Sequence, residues 1–133
     1  MKKTIIITAV FLLIIIGVLS AYFISTSPKN KGEFCVDDYS EEIEEFSNVN
    51  SNNYGNISDW KSAAEVGKIA IEEIFGEGAH GSFFKWMGCD VQYDPHNDIY
   101  YVRTYHSNPL ILGGAYDVII RSDGTVLTMW GEK

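Results

Sequence analysis

The chain has 133 residues, of which 46% are hydrophobic and 21% are charged, and its formal net charge is −8. Once an apolar stretch near the N-terminus is set aside, what remains suffices for one small domain, which excludes a multidomain enzyme. The 18 acidic residues outnumber the 10 basic ones, and such a surface repels the phosphate backbone of nucleic acids. We therefore expect no nucleic-acid partner, whereas a basic protein surface is a natural partner.

The first predicted element is a helix that crosses a membrane. Residues 5–24 form an apolar run without a charge, shortly after Lys2 and Lys3, and a helix needs about 20 such residues to span a bilayer. We favour an uncleaved single-pass anchor within residues 1–28. The alternative is a removed secretory signal, although its apolar part is usually about 7–15 residues long. Because the two lysines favour a cytoplasmic N-terminus, both interpretations place the remaining chain outside the cytoplasm, as a membrane-anchored domain or as a secreted or periplasmic one.

Residues 29–57 are predicted to form an acidic, partly disordered linker. Residues 25–32 are typical of a flexible stalk. After them, Tyr39, Ile43 and Phe46 are spaced to share one face of a short helix. The acidic side chains around this helix form either a docking strip for a basic partner or a solvated face that leans on the domain. These candidate contacts are Asp37, Asp38, Glu41, Glu42, Glu44 and Glu45.

The chain contains two cysteines, Cys35 and Cys89. An oxidising compartment would allow the two thiols to form a disulfide, but separately packed free thiols are the default expectation for one isolated pair. The spacing of the two cysteines matches no zinc-binding pattern.

The clearest helix is predicted to begin at Ser58, a good N-cap residue, and to end at Gly76, a left-handed C-terminal cap. Apolar residues recur between them at three- and four-residue steps, which gives one continuous apolar face. These residues are Trp60, Ala63, Ala64, Gly67, Ala70, Ile71, Ile74 and Phe75. Because many of them are small, we expect the helix to lie close against a sheet.

Beyond this helix the pattern changes to a period of two, which is typical of β-strands. The predicted strands are 82–93, Ile99–His106, 115–121 and 125–130. Tight turns are predicted at residues 94–97 and 122–124. Since strands joined by short turns pair antiparallel, the expected fold class is α+β, with the long helix packed across a four-stranded antiparallel meander.

One helix covers only one face of such a sheet. The other face is then exposed, covered by the N-terminal segment, or covered by a partner. Tyr101 and Tyr105 on the second predicted strand are candidate partner-binding residues, because a Tyr ring is apolar while its hydroxyl stays hydrated. The alternative is that these rings fill the core of a small domain.

Residues suited to catalysis or metal binding are scattered along the chain. His80, His96 and His106 lie in separate segments. Asp94, His96 and Asp98 are close in sequence, but they lack the spacing and the glycine of a calcium loop. The sequence shows neither a nucleophile elbow nor a phosphate-binding glycine loop. We therefore expect no catalytic residue, no metal and no cofactor.

The order of short motifs after the acidic segment resembles that of a known family. A helix ending in Phe75-Gly76-Glu77 is followed by a strand with Tyr100-Tyr101-Val102, a strand that begins at Gly113-Gly114, and an Asp123-Gly124 turn near the C-terminus. With this order and spacing, residues 58–133 resemble the NTF2-fold immunity proteins of bacterial polymorphic toxin systems, although Tyr stands where that family usually has Trp. The residues that match the family motifs are Gly76, Glu77, Tyr100, Gly113, Gly114, Asp123 and Gly124.

The resemblance implies a reduced form of the cone-shaped NTF2-like fold. It also implies an immunity protein, which is noncatalytic and neutralises a cognate bacterial toxin by binding it stoichiometrically. The acidic composition adds the expectation that the toxin is basic at its contact surface. The alternatives are a small-ligand-binding NTF2-like module and an envelope-associated structural or interaction protein.

Overall fold

The computed structural model describes residues 2–46, 52–76, 87–106 and 113–132. A long helix, a strand, a 3₁₀ turn and a short helix come first, and a second long helix and four strands follow. The elements are α1 (Lys2–Thr26), β1 (Pro28–Glu33), the 3₁₀ turn (Val36–Tyr39), α2 (Ser40–Phe46), α3 (Trp60–Phe75), β2 (Met87–Asp94), β3 (Ile99–His106), β4 (Tyr116–Arg121) and β5 (Val126–Gly131).

The strands form one five-stranded sheet in the order β1-β2-β3-β4-β5. The predicted α+β class is confirmed. The predicted four-stranded antiparallel sheet is wrong, because β1 adds a fifth strand that runs parallel to β2, whereas β2 to β5 pair antiparallel with their neighbours. The segment predicted as a flexible stalk supplies this strand. Its side chains are polar because β1 lies at an edge with most of its residues exposed, so only its backbone pairing identifies it as a strand.

Several strand and turn predictions are confirmed. Strand β3 has the predicted bounds, and the turn after Asp94 joins β2 to β3. Strand β2 begins at Met87, and the earlier residues of the predicted strand, 82–86, lie outside the described part of the chain.

Helix α3 begins one residue later than predicted. Its N-cap is Asp59, not Ser58, because the Asp59 carboxylate accepts a hydrogen bond from the Ser62 backbone N–H at 2.8 Å. The Ser62 hydroxyl accepts one in return from the Asp59 backbone N–H at 3.1 Å, which completes a capping box. Gly76 caps the other end with φ 93° and ψ 171°. Its φ is positive as expected, but its extended ψ differs from the predicted left-handed helical cap.

The inner face of α3 packs on one face of the sheet through small residues. An added Cβ at Gly67 would lie 2.7 Å from Val102 Cγ1, so the helix backbone lies directly on β3. The predicted apolar face is too long, since Ile74 is 39% exposed and Phe75 is 36% exposed. The buried residues of the helix are Ala63, Ala64, Gly67, Ala70 and Ile71.

The opposite face of the sheet is covered by the N-terminal segment. Buried Ile99, Tyr101 and Ile119 pack against partly buried apolar side chains from the residue after β1, the 3₁₀ turn, α2 and β5. These are Phe34, Val36, Tyr39, Ile43, Leu127 and Trp130. Of the three coverings left open by the sequence, the structure shows the chain's own segment, so residues 29–46 are part of the folded domain and not a linker.

The two ends of the sheet face different parts of the molecule. At the anchor end, the register partners Pro28, Cys89, Thr104, Tyr116 and Gly131 form a row across all five strands, and α1 ends just before this row. The distal end carries the turns at residues 95–98 and 122–124. The start of α3 also lies there, because the Ile57 N–H donates to the Ser122 carbonyl at 2.7 Å.

Helix α1 is the one helix among the described residues that is long and apolar enough to cross a membrane. Its 20-residue span Ile5–Ile24 makes no buried contact with the domain. A membrane anchor and a signal sequence both have these properties.

Candidate partner interface at the distal end

The predicted acidic strip lies on the outside of the segment that covers the second face. Asp37 and Asp38 are exposed on the 3₁₀ turn. On α2, Glu41, Glu44 and Glu45 are exposed, whereas Glu42 is half-buried.

The strip is held to the sheet at two points. The Thr128 hydroxyl on β5 donates a hydrogen bond to the Glu42 carbonyl at 3.1 Å. The Tyr39 ring lies 5.1 Å from the Tyr101 ring and 6.2 Å from the Trp130 ring, measured between centroids. The strip therefore has a fixed position on the domain.

A buried carboxylate at the distal end positions the start of this strip. One Asp94 oxygen accepts from the Val36 N–H at 3.0 Å, and the other accepts from the His96 N–H at 2.9 Å and the Asn97 N–H at 3.1 Å. The Asn97 side-chain amide donates a further bond, and together these bonds lower the pKa of Asp94 to about 2. From the sequence, Asp94 is predicted to be a turn residue, and its spacing from His96 and Asp98 does not match a calcium loop. The hydrogen bond to Val36, 58 residues away, was not predictable from the local pattern.

Three further exposed aspartates lie at the distal end, and none of them was predicted from the sequence to bind a partner. Asp59 caps α3, and its bond from the Ser62 N–H lowers its pKa. Asp98 accepts hydrogen bonds from the Ser122 hydroxyl and from the Tyr93 hydroxyl, which lower its pKa.

Asp123 lies in the β4–β5 turn. It accepts from the Thr125 N–H at 2.9 Å, which lowers its pKa as well. These three carboxylates therefore keep their charge well into the acidic range.

The distal end thus carries exposed aspartates from four separate stretches of sequence, which are Asp37, Asp38, Asp59, Asp98 and Asp123. Lys61 and Arg121 are exposed basic side chains that lie near Asp59 and Asp123. Five carboxylates against these two cations leave a negative potential, which favours encounter with a basic partner. We call these five residues the distal acidic surface.

The two predicted partner-binding tyrosines do not contribute to this surface. Tyr101 is 7% exposed, and its hydroxyl donates to Asp117 Oδ1 at 2.6 Å. Its ring is enclosed by the covering segment, so the expectation that it meets a partner is corrected: Tyr101 is a packing residue. Tyr105 is half-buried near the anchor end, where its hydroxyl donates to Asp90 Oδ1 at 3.1 Å.

A second buried carboxylate, Asp117, lies on β4 with no exposed surface. Burial raises its pKa to about 6, although the Tyr101 hydroxyl and Arg103 favour its charged form. Arg103 lies between two carboxylates, with Nη1 3.4 Å from Asp117 Oδ1 and Nη2 2.7 Å from Glu132 Oε2. Asp117 Oδ2 has no hydrogen-bond partner among the described residues. The cluster ties β3, β4 and the C-terminal end of β5 together beneath the aromatic rings.

The described residues that match the family motifs lie in the core and in turns of the backbone. Tyr100 is buried in the α3 face, and Gly113 and Gly114 have φ values of 80° and 75° before β4. Gly124 has φ 86°, and an added Cβ there would lie 2.2 Å from the Gly55 carbonyl oxygen, so only glycine fits. Glu77 lies outside the described residues.

Within the part of the chain that the structure describes, no group of three or more His, Cys, Asp or Glu side chains is arranged to hold a metal. Cys35 is an exposed free thiol and Cys89 a buried one. Burial raises the pKa of Cys89 to about 11, which makes it unreactive at neutral pH.

Comparisons with protein-family models, with curated proteins and with solved structures find no match to this chain.

Proposed function

We propose that this chain is a membrane-anchored immunity protein that neutralises a cognate bacterial toxin by stoichiometric, noncatalytic binding. The observation that carries the proposal is the distal acidic surface, which the fold assembles from four separate stretches of sequence. A surface of this kind attracts a basic protein surface and fixes its orientation at encounter.

The family resemblance of residues 58–133 supports the same proposal. Its motifs fall on the end of α3, on β3, before β4 and on the β4–β5 turn. In the proposed reduced NTF2-like fold, Gly113, Gly114 and Gly124 allow the turns and the close backbone approach. The exposed residues of the domain can then differ between immunity proteins that bind different toxins.

The packing of the domain favours surface binding over a ligand cavity. At Gly67 the helix backbone lies directly on Val102, and on the other face the rings of Tyr39 and Tyr101 are in contact. Both faces are therefore covered by the chain itself at these points, and the distal end carries an excess of negative charge.

The bound domain would neutralise the toxin by covering its working surface. The toxin presents basic side chains around its working surface, the five aspartates pair with them, and the bound domain blocks access of the substrate. Because the aspartates are exposed, the attraction is screened by salt, so the association rate should fall as ionic strength rises.

The test is co-expression of the full chain with the toxin encoded beside its gene. We expect the chain to protect the cells and to form a one-to-one complex. Asp37→Lys and Asp38→Lys should each weaken the complex about tenfold or more, because each replaces an attraction with a repulsion. Glu65→Lys makes the same change of charge on the exposed side of α3 and should leave binding nearly unchanged.

Two results would contradict the proposal. The first is that no neighbouring toxin is neutralised by the full chain. The second is that Asp37→Lys and Glu65→Lys weaken the complex equally, which would show that net charge matters and the distal acidic surface does not.

A further inference from the structure

The domain is joined to α1 without a stalk. Helix α1 ends at Thr26 and β1 begins at Pro28. The Ser27 N–H between them donates to the Phe23 carbonyl at 3.0 Å, which continues the helical hydrogen bonding, and Pro28 already pairs with Cys89. The anchor end of the sheet is therefore held directly at the end of α1.

The last turn of α3 lies at the same level. The Phe75 ring is 4.8 Å from the Tyr116 ring, and Tyr116 belongs to the row of register partners that includes Pro28. Helix α3 therefore points its C-terminal end towards the end of α1. At that end Ile74 and Phe75 stay 39% and 36% exposed.

We propose that the anchor end of the domain rests in the interface of the bilayer that α1 crosses, with Ile74 and Phe75 inserted among the lipid headgroups. This inference rests on the anchor of the proposed function, and it adds a second membrane contact outside α1. Aliphatic and aromatic side chains at an interface insert about 5–10 Å into the headgroup region. Tyr22, near the end of α1, is the residue type that marks this level in membrane helices.

The distribution of charge fits this orientation. Lys29 on β1 is exposed close to the anchor end, where cations are attracted to anionic lipids. Lys31 lies further along the strand and pairs with Asp90 at 3.7 Å. The six residues of β1 span about 20 Å, which exceeds the Debye length of about 8 Å at physiological salt. The distal acidic surface is therefore clear of the membrane charge and faces outwards.

The experiment measures the depth of a fluorescent label in vesicles of phosphatidylcholine and phosphatidylglycerol that contain the full chain. With Cys35→Ser as background, a bimane label is attached at Ile74→Cys, at Ile69→Cys or at Asn56→Cys. Ile69 is a matched exposed isoleucine on α3 that lies about 7.5 Å nearer the N-terminal end of the helix than Ile74 does. Asn56 is exposed at the distal end. Lipids that carry a spin label at headgroup depth are the quencher.

We expect quenching at position 74 to be about twofold stronger than at position 56, with position 69 between them. Equal quenching at positions 74 and 56 would overturn the proposal. A photoactivatable lipid offers a readout on the unmodified chain, because it should label the peptide with residues 74–76 and leave the peptide with residues 95–98, in the exposed distal turn, unlabelled. Labelling of both peptides to the same extent would also overturn it.

The toxin-protection assay separates this inference from the proposed function. Protection without quenching at position 74 removes the membrane contact and leaves the immunity function, whereas quenching without protection does the reverse. The intact mass of the protein from the membrane fraction shows whether α1 has been cleaved. A mass without α1 would overturn the proposed contact, because α1 is what holds the domain at the bilayer.

Discussion

The two faces of the sheet are covered by helices that differ in length and in chemistry. Helix α3 has 16 residues and a capping box, and it buries Ala, Gly and Ile. Helix α2 has 7 residues and packs on the sheet through Ile43, next to the Tyr39 ring of the 3₁₀ turn and above a buried carboxylate. A helix of this length is not stable alone, so α2 depends on its packing against the sheet. The comparison indicates that α3 and the sheet form the stable unit and that α2 is an added cover.

The largest expected effect tests this difference with the same substitution on both faces. Ile71 on α3 is 0% exposed, whereas Ile43 on α2 is half-buried. We expect Ile71→Ala to lower the free energy of unfolding by about 4 kcal/mol and Ile43→Ala by about 1 kcal/mol, because the first leaves a cavity and the second leaves a site that solvent reaches. Urea unfolding of the full chain in detergent micelles, followed by tryptophan fluorescence, measures both.

Tryptophan substitutions make this comparison sharper. Trp60 packs against the α3 cluster, and Trp130 packs against the α2 cluster. The chain has a third tryptophan, Trp86, so both variants are made in a Trp86→Phe background. In that background Trp130→Phe leaves a reporter on the first face, and Trp60→Phe leaves one on the second. If both tryptophans reported the same loss in free energy of unfolding for Ile71→Ala and Ile43→Ala, the two faces would unfold as one cooperative unit and contribute equally to stability.

A somewhat smaller effect is expected where α3 touches β3 most closely. The added Cβ of Gly67→Ala would lie 2.7 Å from Val102 Cγ1. We expect a loss of about 3 kcal/mol from overpacking, although alanine favours the helix by about 1 kcal/mol. The free energy of unfolding should be partly restored by Val102→Ala in the double variant.

Ile69→Ala is the matched control, since Ile69 is 50% exposed on the same helix. Its effect should stay within about 0.5 kcal/mol. A Gly67→Ala variant as stable as the parent chain would mean that α3 moves away from the sheet without cost.

The first face was predictable from the sequence because its information is local. The spacing of Ala63, Ala64, Gly67 and Ile71 identifies both a helix and its buried side. The start of α3 was wrong by one residue, since it depends on which side chain accepts the hydrogen bond from the Ser62 N–H. The buried side was predicted too long, because Ile74 and Phe75 are exposed.

The second face was not predictable in this way. The residues of β1 are polar, and its parallel pairing with β2 joins positions such as Pro28 and Cys89 that are far apart in the chain. The apolar spacing of Tyr39 and Ile43 indicated a helix with one buried side, but it did not say which surface that side covers. The distal acidic surface was missed for a related reason, because Asp98 and Asp123 come together only when neighbouring strands place their turns at one end.

The last expected effect is a pH dependence of stability that comes from the carboxylate buried under the second face. The pKa of Asp117 is raised to about 6 from an ordinary value of 3.8, so the folded state binds a proton more tightly than the unfolded state does. Its contribution to stability is fully present below pH 3.8 and is lost as the pH rises through 6, by about 3 kcal/mol in total. Asp117→Asn should remove this part of the pH dependence, because the amide is neutral throughout and still accepts the Tyr101 hydrogen bond.

Asp94 provides the control of opposite sign for this titration. Its pKa is lowered to about 2, so its contribution is present above pH 3.8 and is lost as the pH falls towards 2, and Asp94→Asn should leave the slope between pH 4 and 6 unchanged. The measurement is the free energy of unfolding in urea across the acidic range, with Trp130 as the reporter of the second face in a Trp60→Phe, Trp86→Phe background. If Asp117→Asn kept the slope between pH 4 and 6, the proton would be taken up elsewhere. The buried carboxylate would then be no part of what distinguishes the α2 face from the α3 face.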